Sequence, residues 1–304
     1  MATVLQTLGG VTLRAAIVTG ADHGYFPMMH ALLQTLVRNR VDCEHKLVVF
    51  DFGLASEDIA AIEALGAEIV SPDWWFDAPS SLRQKRNLGY AARLQIPTFA
   101  PGYDAYLWLD ADISVQNGAF VNDFLQAAHD GALAVVEEKD PSYKIELYAL
   151  KWNIGNAIRS FGLVNGLRIC LSRQINAGAF ALRSDAPHWA VWQKHYRNAV
   201  IRSNRANLDQ HALMAALCLD ALPVTYLKST HNWICARSQP LWDNDRQVFC
   251  CPTSPHSPIS VLHLAGRQKD GVRPIKTLDG GVKSMELTYA LPVDAGLQPA
   301  VANL

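Results

Sequence analysis

No apolar run in this chain of 304 residues reaches the ~18 that a helix needs to cross a bilayer, so no transmembrane helix is expected. A charge excess is lacking too. Lys and Arg number 27 against 28 Asp and Glu, a formal net charge of -1, so no summed basic field gathers nucleic acid or an anionic bilayer, and anion affinity must come from local pockets. The opening MATVLQTLGGVTLRAAIV has neither the basic start nor the long apolar centre of a secretory signal, and a soluble cytoplasmic protein is the expectation. The six cysteines (Cys43, Cys170, Cys218, Cys235, Cys250 and Cys251) show no CxxC spacing. That argues against a zinc ribbon or a disulfide scaffold and for reduced, mostly buried thiols. Adjacent Cys250 and Cys251 could oxidise together, but a pair alone makes no redox site. GxGxxG is missing as well: the first strand leads into TGADHGY (19–25), which disfavours a dinucleotide oxidoreductase. Without an internal repeat or a low-complexity linker, one continuous domain is favoured.

What is present is a large hydrophobic fraction, 50%, enough for a sizeable core. The first hundred residues alternate strand and helix patterns: strands at 15–19, 46–50, 68–70 and 105–109, helices at 26–38 and 56–65, the latter opening with Ser56 as its cap, and a helix over 88–99 that passes Pro97. Such alternation implies a parallel sheet wrapped by helices, with ligands at the strand-end loops. Strands are expected again at 132–136, 175–182, 224–227 and 259–263, with helices at 187–200 and 208–219. Residues 140–173 show no clear core period and read as a helical or irregular lid. The tail from Gly280 reads as peripheral.

The strongest local feature is LWLDADI (107–113), an apolar strand that delivers Asp110 and Asp112 where it leaves the core. Read as extended chain, the two point the same way, a hard-oxygen pair suited to Mg²⁺ or Mn²⁺ shared with a substrate phosphate. A solvated turn after a strand gives the same short pattern. AAIVTGADHGY (15–25) has small residues where a backbone can approach a base edge, and Tyr25 as a ring that can stack; Asp22 reads equally as a turn residue. In INAGAFALR (175–183), Gly178 allows close backbone approach or marks a bulge. LDQHAL (208–213) alone reads as a helix N-cap.

In this order, with GYAARLQIP (89–97), these blocks resemble glycosyltransferase family 8, the retaining GT-A enzymes. The resemblance implies an α/β GT-A fold with a Rossmann-like, mainly parallel sheet and a smaller acceptor-side subregion. It implies a single catalytic domain over 1–304, with a nucleotide-binding half (12–113), a sugar and acceptor half (114–275), a lid (140–173) and a peripheral tail (280–304). Thr19, Gly20, Ala21, Asp22 and Tyr25 would line the base and ribose. Arg93 would turn inward beside the metal, and Asp110, Ala111 and Asp112 would meet metal and diphosphate. Asn176, Ala177 and Gly178 would lie beneath the donor sugar, with Asp209 on its hydroxyls and Gln210 near the anomeric carbon. VLHLAGRQKDG (261–271) resembles the family's closing motif, giving His263 as third metal ligand, Gly266 in the loop and Lys269 on the diphosphate. The chain departs from the family pattern at His211, commonly acidic, and at Asp270-Gly271, usually Pro-Trp. HNW (231–233) matches the family's asparagine-containing loop weakly.

The implied activity is transfer of a hexose from a nucleotide sugar, UDP-glucose or UDP-galactose, to a saccharide or other hydroxyl acceptor, with retention and with Mn²⁺ or Mg²⁺. An inverting transferase would need a base beside the acceptor, with Glu137, Glu138 and Asp140 as candidates. A non-catalytic nucleotide-sugar-binding protein is the rival from another class.

Overall fold

In the computed structural model of the chain, which describes residues 6–8, 11–145, 147–266 and 271–287, the expected alternation becomes one half of a seven-stranded sheet. The chain runs through β1 (Ala15–Ala21), α1 (Phe26–Arg38), β2 (Lys46–Asp51), α2 (Ser56–Ala64), β3 (Glu68–Val70), α3 (Lys85–Ala92) and β4 (Ala105–Leu109). It continues with β5 (Ile113–Val115), α4 (Phe120–Ala128), β6 (Leu133–Glu137), the helix pair α5 (Leu147–Phe161) and α6 (Leu163–Leu171), and β7 (Ile175–Arg183). Then come α7 (His188–Ser203), α8 (Asp209–Leu219), β8 (Val224–Leu227), β9 (Trp233–Ile234) and β10 (Val261–His263), before a closing antiparallel pair, Arg273–Lys276 and Val282–Met285.

The sheet order is β8-β6-β7-β4-β1-β2-β3. Only β7 is reversed, antiparallel to both β4 and β6. The chain builds outward from β1 on one side through β2 and β3, then returns to place β4 on the other. That reversal opens a crevice beyond the carboxyl ends of β1 and β4, where α/β sheets bind ligands.

Both faces of the sheet are covered, which explains why its strands are apolar runs with little alternation. In β4, Tyr106 and Trp108 enter one core while Ala105, Leu107 and Leu109 enter the other. On the first face α7 supplies Trp189, Trp192, Tyr196 and Val200; on the second α1 supplies Met29, Leu32, Leu33 and Leu36. A small sheet, β9-β10-β5, carries a third core around Trp233, Phe249 and Leu262. Its register sets His263 opposite Ile113, one residue after Asp112.

Two local expectations are corrected. Ser56 does not cap α2: it is the first helical residue, and Asp58 Oδ2 takes up the Ala55 N–H at 2.9 Å and His23 Nδ1 at 2.7 Å. The helix expected over 88–99 is broken: α3 ends at Ala92, a 3-10 turn spans Arg93–Gln95, and a last turn covers Ile96–Phe99. Pro97 has no N–H to give and its ring crowds the carbonyl one turn back. Carbonyls near the break are taken by side chains, Ala91 O by Trp75 Nε1 at 2.9 Å and Leu94 O by Gln193 Nε2 at 2.8 Å. The segment 140–173 contains two antiparallel helices, packed so closely that a Cβ on Gly166 would lie 2.6 Å from Ile158 Cα.

Candidate active site

Asp110 and Asp112 meet by a turn, not by strand period. Leaving β4, the chain donates Asp110 N–H to Gly178 O at 2.7 Å on β7, and Ile113 N–H returns to Asp110 O at 3.2 Å. The extended spacing expected for this pair is therefore replaced by a reverse turn, which brings the two carboxyl groups together at its tip. Through the β5–β10 register His263 joins them. Its Nε2 lies 3.3 Å from Asp112 Oδ1 and 4.0 Å from Asp110 Oδ2. One ligand atom from each of the three falls within 4.8 Å of the others.

His263 is delivered in one tautomer. Gly178 N–H, which can only donate, reaches Asn176 Oδ1 at 2.9 Å, so the Asn176 amide nitrogen faces Glu138 Oε1, 3.2 Å away. Asn232 Nδ2 donates to the same Asn176 oxygen at 3.0 Å, which leaves Asn232 Oδ1 to accept from His263 Nδ1 at 2.9 Å. The proton thus sits on Nδ1, and the Nε2 lone pair faces the carboxylates. A partner on the far nitrogen is the usual arrangement for a metal-binding imidazole. Glu138, at the far end of the relay, is ion-paired with Arg237. Gly178 makes room for the imidazole: a Cβ there would come 2.3 Å from His263 Cε1. The glycine read as a place for the sugar to approach is first a place for the histidine.

Two carboxylate oxygens and an imidazole nitrogen suit Mn²⁺ or Mg²⁺. With bonds of ~2.1 Å, neighbouring ligands of an octahedral ion stand roughly 3.0 Å apart, so the 3.3 and 4.0 Å separations need only a small closing movement. Asn232→Ala is expected to weaken Mn²⁺ binding by about 10- to 100-fold through loss of the imidazole's anchor. Titration by electron paramagnetic resonance checks this, and an unchanged affinity would refute the relay.

Arg93, set at the break after α3, is buried and spans two carboxylates. Nη2 meets Asp110 Oδ1 at 3.0 Å, and Nη1 meets both Asp209 Oδ2 and Ala177 O at 3.2 Å. Trp108 lies under the guanidinium at 4.9 Å and donates its own N–H to Asp110 Oδ1 at 2.7 Å. With Oδ1 held by both donors, Asp110 turns Oδ2 toward His263. Burial alone would lower the arginine's pKa, but Asp110 and Asp209 outweigh it and the value rises. Burial pushes the Asp209 carboxyl above the usual range, against the opposing pull of Arg93.

Two cavities flank this centre. The first, about 360 Å³, lies over the ends of β1 and β4 and takes in Gly20, Ala21, Asp22, Tyr25, Arg93, Asp110, Ala111 and Asp112. The second, about 260 Å³, shares Tyr90, Arg93 and Asp110 with it and adds Asn176, Gly178, Asp209 and Gln210. Ala177 offers its backbone there: its N–H reaches Gln210 Oε1 at 3.1 Å, which locks the glutamine amide against β7. Asp22 is also a turn residue, since its Oδ1 receives Tyr25 N–H at 3.0 Å before α1 begins. Thr19 is buried inside β1 and lines neither cavity. Gly266 closes the described stretch after β10 at φ +110°, a conformation that favours glycine. Lys269 lies outside the described residues.

Sequence reasoning missed Phe52, Arg86 and Tyr90 in the first cavity and Trp152 in the second. Phe52 follows β2 directly, so the strand-end rule alone could have found it; its ring fills the space a side chain on Gly20 would need, 2.6 Å from that Cβ. Tyr90 stands three residues before Arg93 on the same helical face. His211, where the family pattern is commonly acidic, is buried with its pKa lowered by that burial, and its ring packs on Trp152 at 5.9 Å.

The model of glycosyl transferase family 8 matches residues 16–162, which run from β1 through the Asp110–Asp112 turn to the end of α5. Over that stretch, just under half of the chain, the sequence is similar to glycosyltransferase family 8. Among solved structures it is similar to the galactosyltransferase LgtC in complex with donor and acceptor sugar analogues, at 19% identity and a TM-score of 0.54, over 84% of this chain and 88% of that one. The bifunctional glycosyltransferase WbbM follows at 14% identity and TM-score 0.51, over 84% of this chain and 46% of that one. GlyE of Streptococcus pneumoniae gives 15% and 0.50, over 84% and 55%. These likenesses agree on the GT-A architecture. No curated protein matches the chain at a significant level. No helix among the described residues is long and apolar enough to cross a membrane.

Proposed function

We propose that this chain is a family 8 transferase that moves a hexose from a UDP-sugar, UDP-glucose or UDP-galactose, to a hydroxyl acceptor with retention, in the presence of Mn²⁺ or Mg²⁺. The observation that carries the reading is the place of the Asp110–Asp112–His263 cluster, between a cavity at the sheet's crevice and a second one lined by polar side chains. A donor would lie across both, base and ribose against Gly20, Ala21, Asp22 and Tyr25 with Phe52 beside them, and sugar over Asn176, Ala177 and Gly178. Unaided, the carboxylates of Asp110 and Asp112 would repel a diphosphate. A bound dication would neutralise them and stabilise the charge that develops on the leaving phosphate. LgtC, solved with donor and acceptor sugar analogues, has an active-site glutamine, and Gln210 is the matching candidate here.

The chain's own groups orient the sugar. Asp209 is held by Arg93 for hydrogen bonding to donor hydroxyls, and Gln210, locked through Ala177, flanks the anomeric carbon. The acceptor hydroxyl attacks that carbon on the face from which the phosphate leaves. The new C–O bond forms as the C–O bond to phosphate breaks, and the hydroxyl proton passes to the departing phosphate oxygen. Of the candidate bases for inversion, Glu138 is engaged by Arg237 and Asn176, Asp140 Oδ2 accepts from Ser229 at 2.7 Å, and Glu137 lines neither cavity, which supports retention. Residues 1–304 would form one catalytic unit, with 12–113 on the nucleotide, 114–275 on sugar and acceptor, and 140–173 as the lid.

The test is UDP release from UDP-glucose and UDP-galactose with Mn²⁺ and with EDTA, followed by proton NMR of the glycosylated product. Release that stops with EDTA, returns with Mn²⁺ and yields the donor's own anomeric configuration is expected. Release indifferent to EDTA would overturn the metal assignment, and an inverted product would overturn retention.

A further inference from the structure

The chain has almost no net charge, yet its charge is unevenly placed. Residues 141–173 hold Lys144, Lys151, Arg159, Arg168 and Arg173 against a single acid, Glu146. The same stretch carries most of the large apolar side chains that the described fold leaves in solvent. On α6, Leu163, Leu167 and Leu171 recur every fourth residue, with Val164 beside them, exposed at 63, 41, 86 and 71%. At 100° per residue these four span one arc of about 100°. The opposite face of α6 is committed to the fold through buried Gly166 and Ile169. On α5, Leu147, Lys151, Gly155 and Arg159 have the same four-residue spacing and are exposed as well. An apolar helical face edged by cations is the pattern of an interfacial helix seated at headgroup level.

We propose that the outer face of the α5–α6 hairpin docks on an anionic lipid surface. Leucine side chains enter the acyl boundary while Lys151, Arg159 and neighbouring cations meet the headgroups. Charge decides between the occupants. A second copy packed isologously would set one cation-rich segment against its twin. Residues 288–304 of this chain bring a single charged side chain, Asp294. An anionic bilayer complements both the apolar and the basic part. Helix α5 also carries Trp152 and Asn153 into the second cavity, so docking on this face would hold that cavity near the lipid surface.

The experiment is co-sedimentation of the full chain with vesicles of phosphatidylcholine alone and of phosphatidylcholine with phosphatidylglycerol at 3:1, at low and high salt. Binding to the anionic vesicles at least tenfold above the neutral ones, weakened by salt, is expected. Lys151→Glu with Arg159→Glu, both solvent-exposed and safe for folding, should reduce it about tenfold, as should Leu167→Asp with Leu171→Asp. Absence of binding to the anionic vesicles, or binding that neither pair of substitutions reduces, overturns the proposal. So does a concentration-dependent dimer that the leucine substitutions abolish.

Discussion

Asp112→Ala is expected to lower turnover by about 10³-fold, near 4 kcal/mol of transition-state stabilisation, with the fold intact. Asp112 sits at the tip of the β4–β5 turn, 3.3 Å from His263 Nε2, and its backbone carbonyl holds the turn to β10 through Leu264 N–H at 2.9 Å. That backbone link survives the substitution. On the proposed function, what would be lost is one of three ligand groups, and with it much of a bound cation's hold on the diphosphate. Removing one of two neighbouring carboxylates also relieves their repulsion, so thermal stability should hold or rise while activity collapses, the trade-off common at active sites. Initial rates of UDP release at saturating Mn²⁺, set beside a thermal melt, measure both. Activity within tenfold of the parent would remove Asp112 from the site.

Arg93→Ala should damage fold and function together. The guanidinium joins α3, β4, β7 and α8 by meeting Asp110, Ala177 O and Asp209, and Trp108 covers its face. Taking away one member of a buried ion-paired set typically costs about 3–5 kcal/mol, because the remaining charge is stranded. Asp209, already raised by burial, would lose the cation that opposes that shift and rise further. Its ionised form would then persist only at higher pH, moving the acid limb of any residual activity upward. Arg93→Lys restores a positive charge but cannot span both carboxylates with one fork. Part of the stability should return without the turnover. Urea titration and the pH profile of UDP release distinguish the variants, and a lysine variant with parental turnover would show that charge alone suffices.

Buried strands flanked by helices are legible because a sheet covered on both faces demands apolar runs, and β1, β2, β4 and β7 are such runs. Elements at the rim are less legible: the two- and three-residue strands of the small β9-β10-β5 sheet carry no period that would mark them as a unit. The helix break at Arg93 was foreshadowed by Pro97, yet the pattern across it continued and masked the break.

By itself the sequence determined which residue types stand at which places along the elements: Asp110 and Asp112 after β4, Gly178 within β7, and Asp209 and Gln210 at the start of α8. Their local context alone decides that much. Only the tertiary structure decided that Asp110 and Asp112 converge by a turn, that His263, which the resemblance had implied, reaches their cluster through strand register from 151 residues beyond Asp112, and that Asn232, Asn176 and Glu138 hold its tautomer. Those facts depend on strand register and on hydrogen bonds between segments far apart in the chain, and neither leaves a local period for the sequence to display.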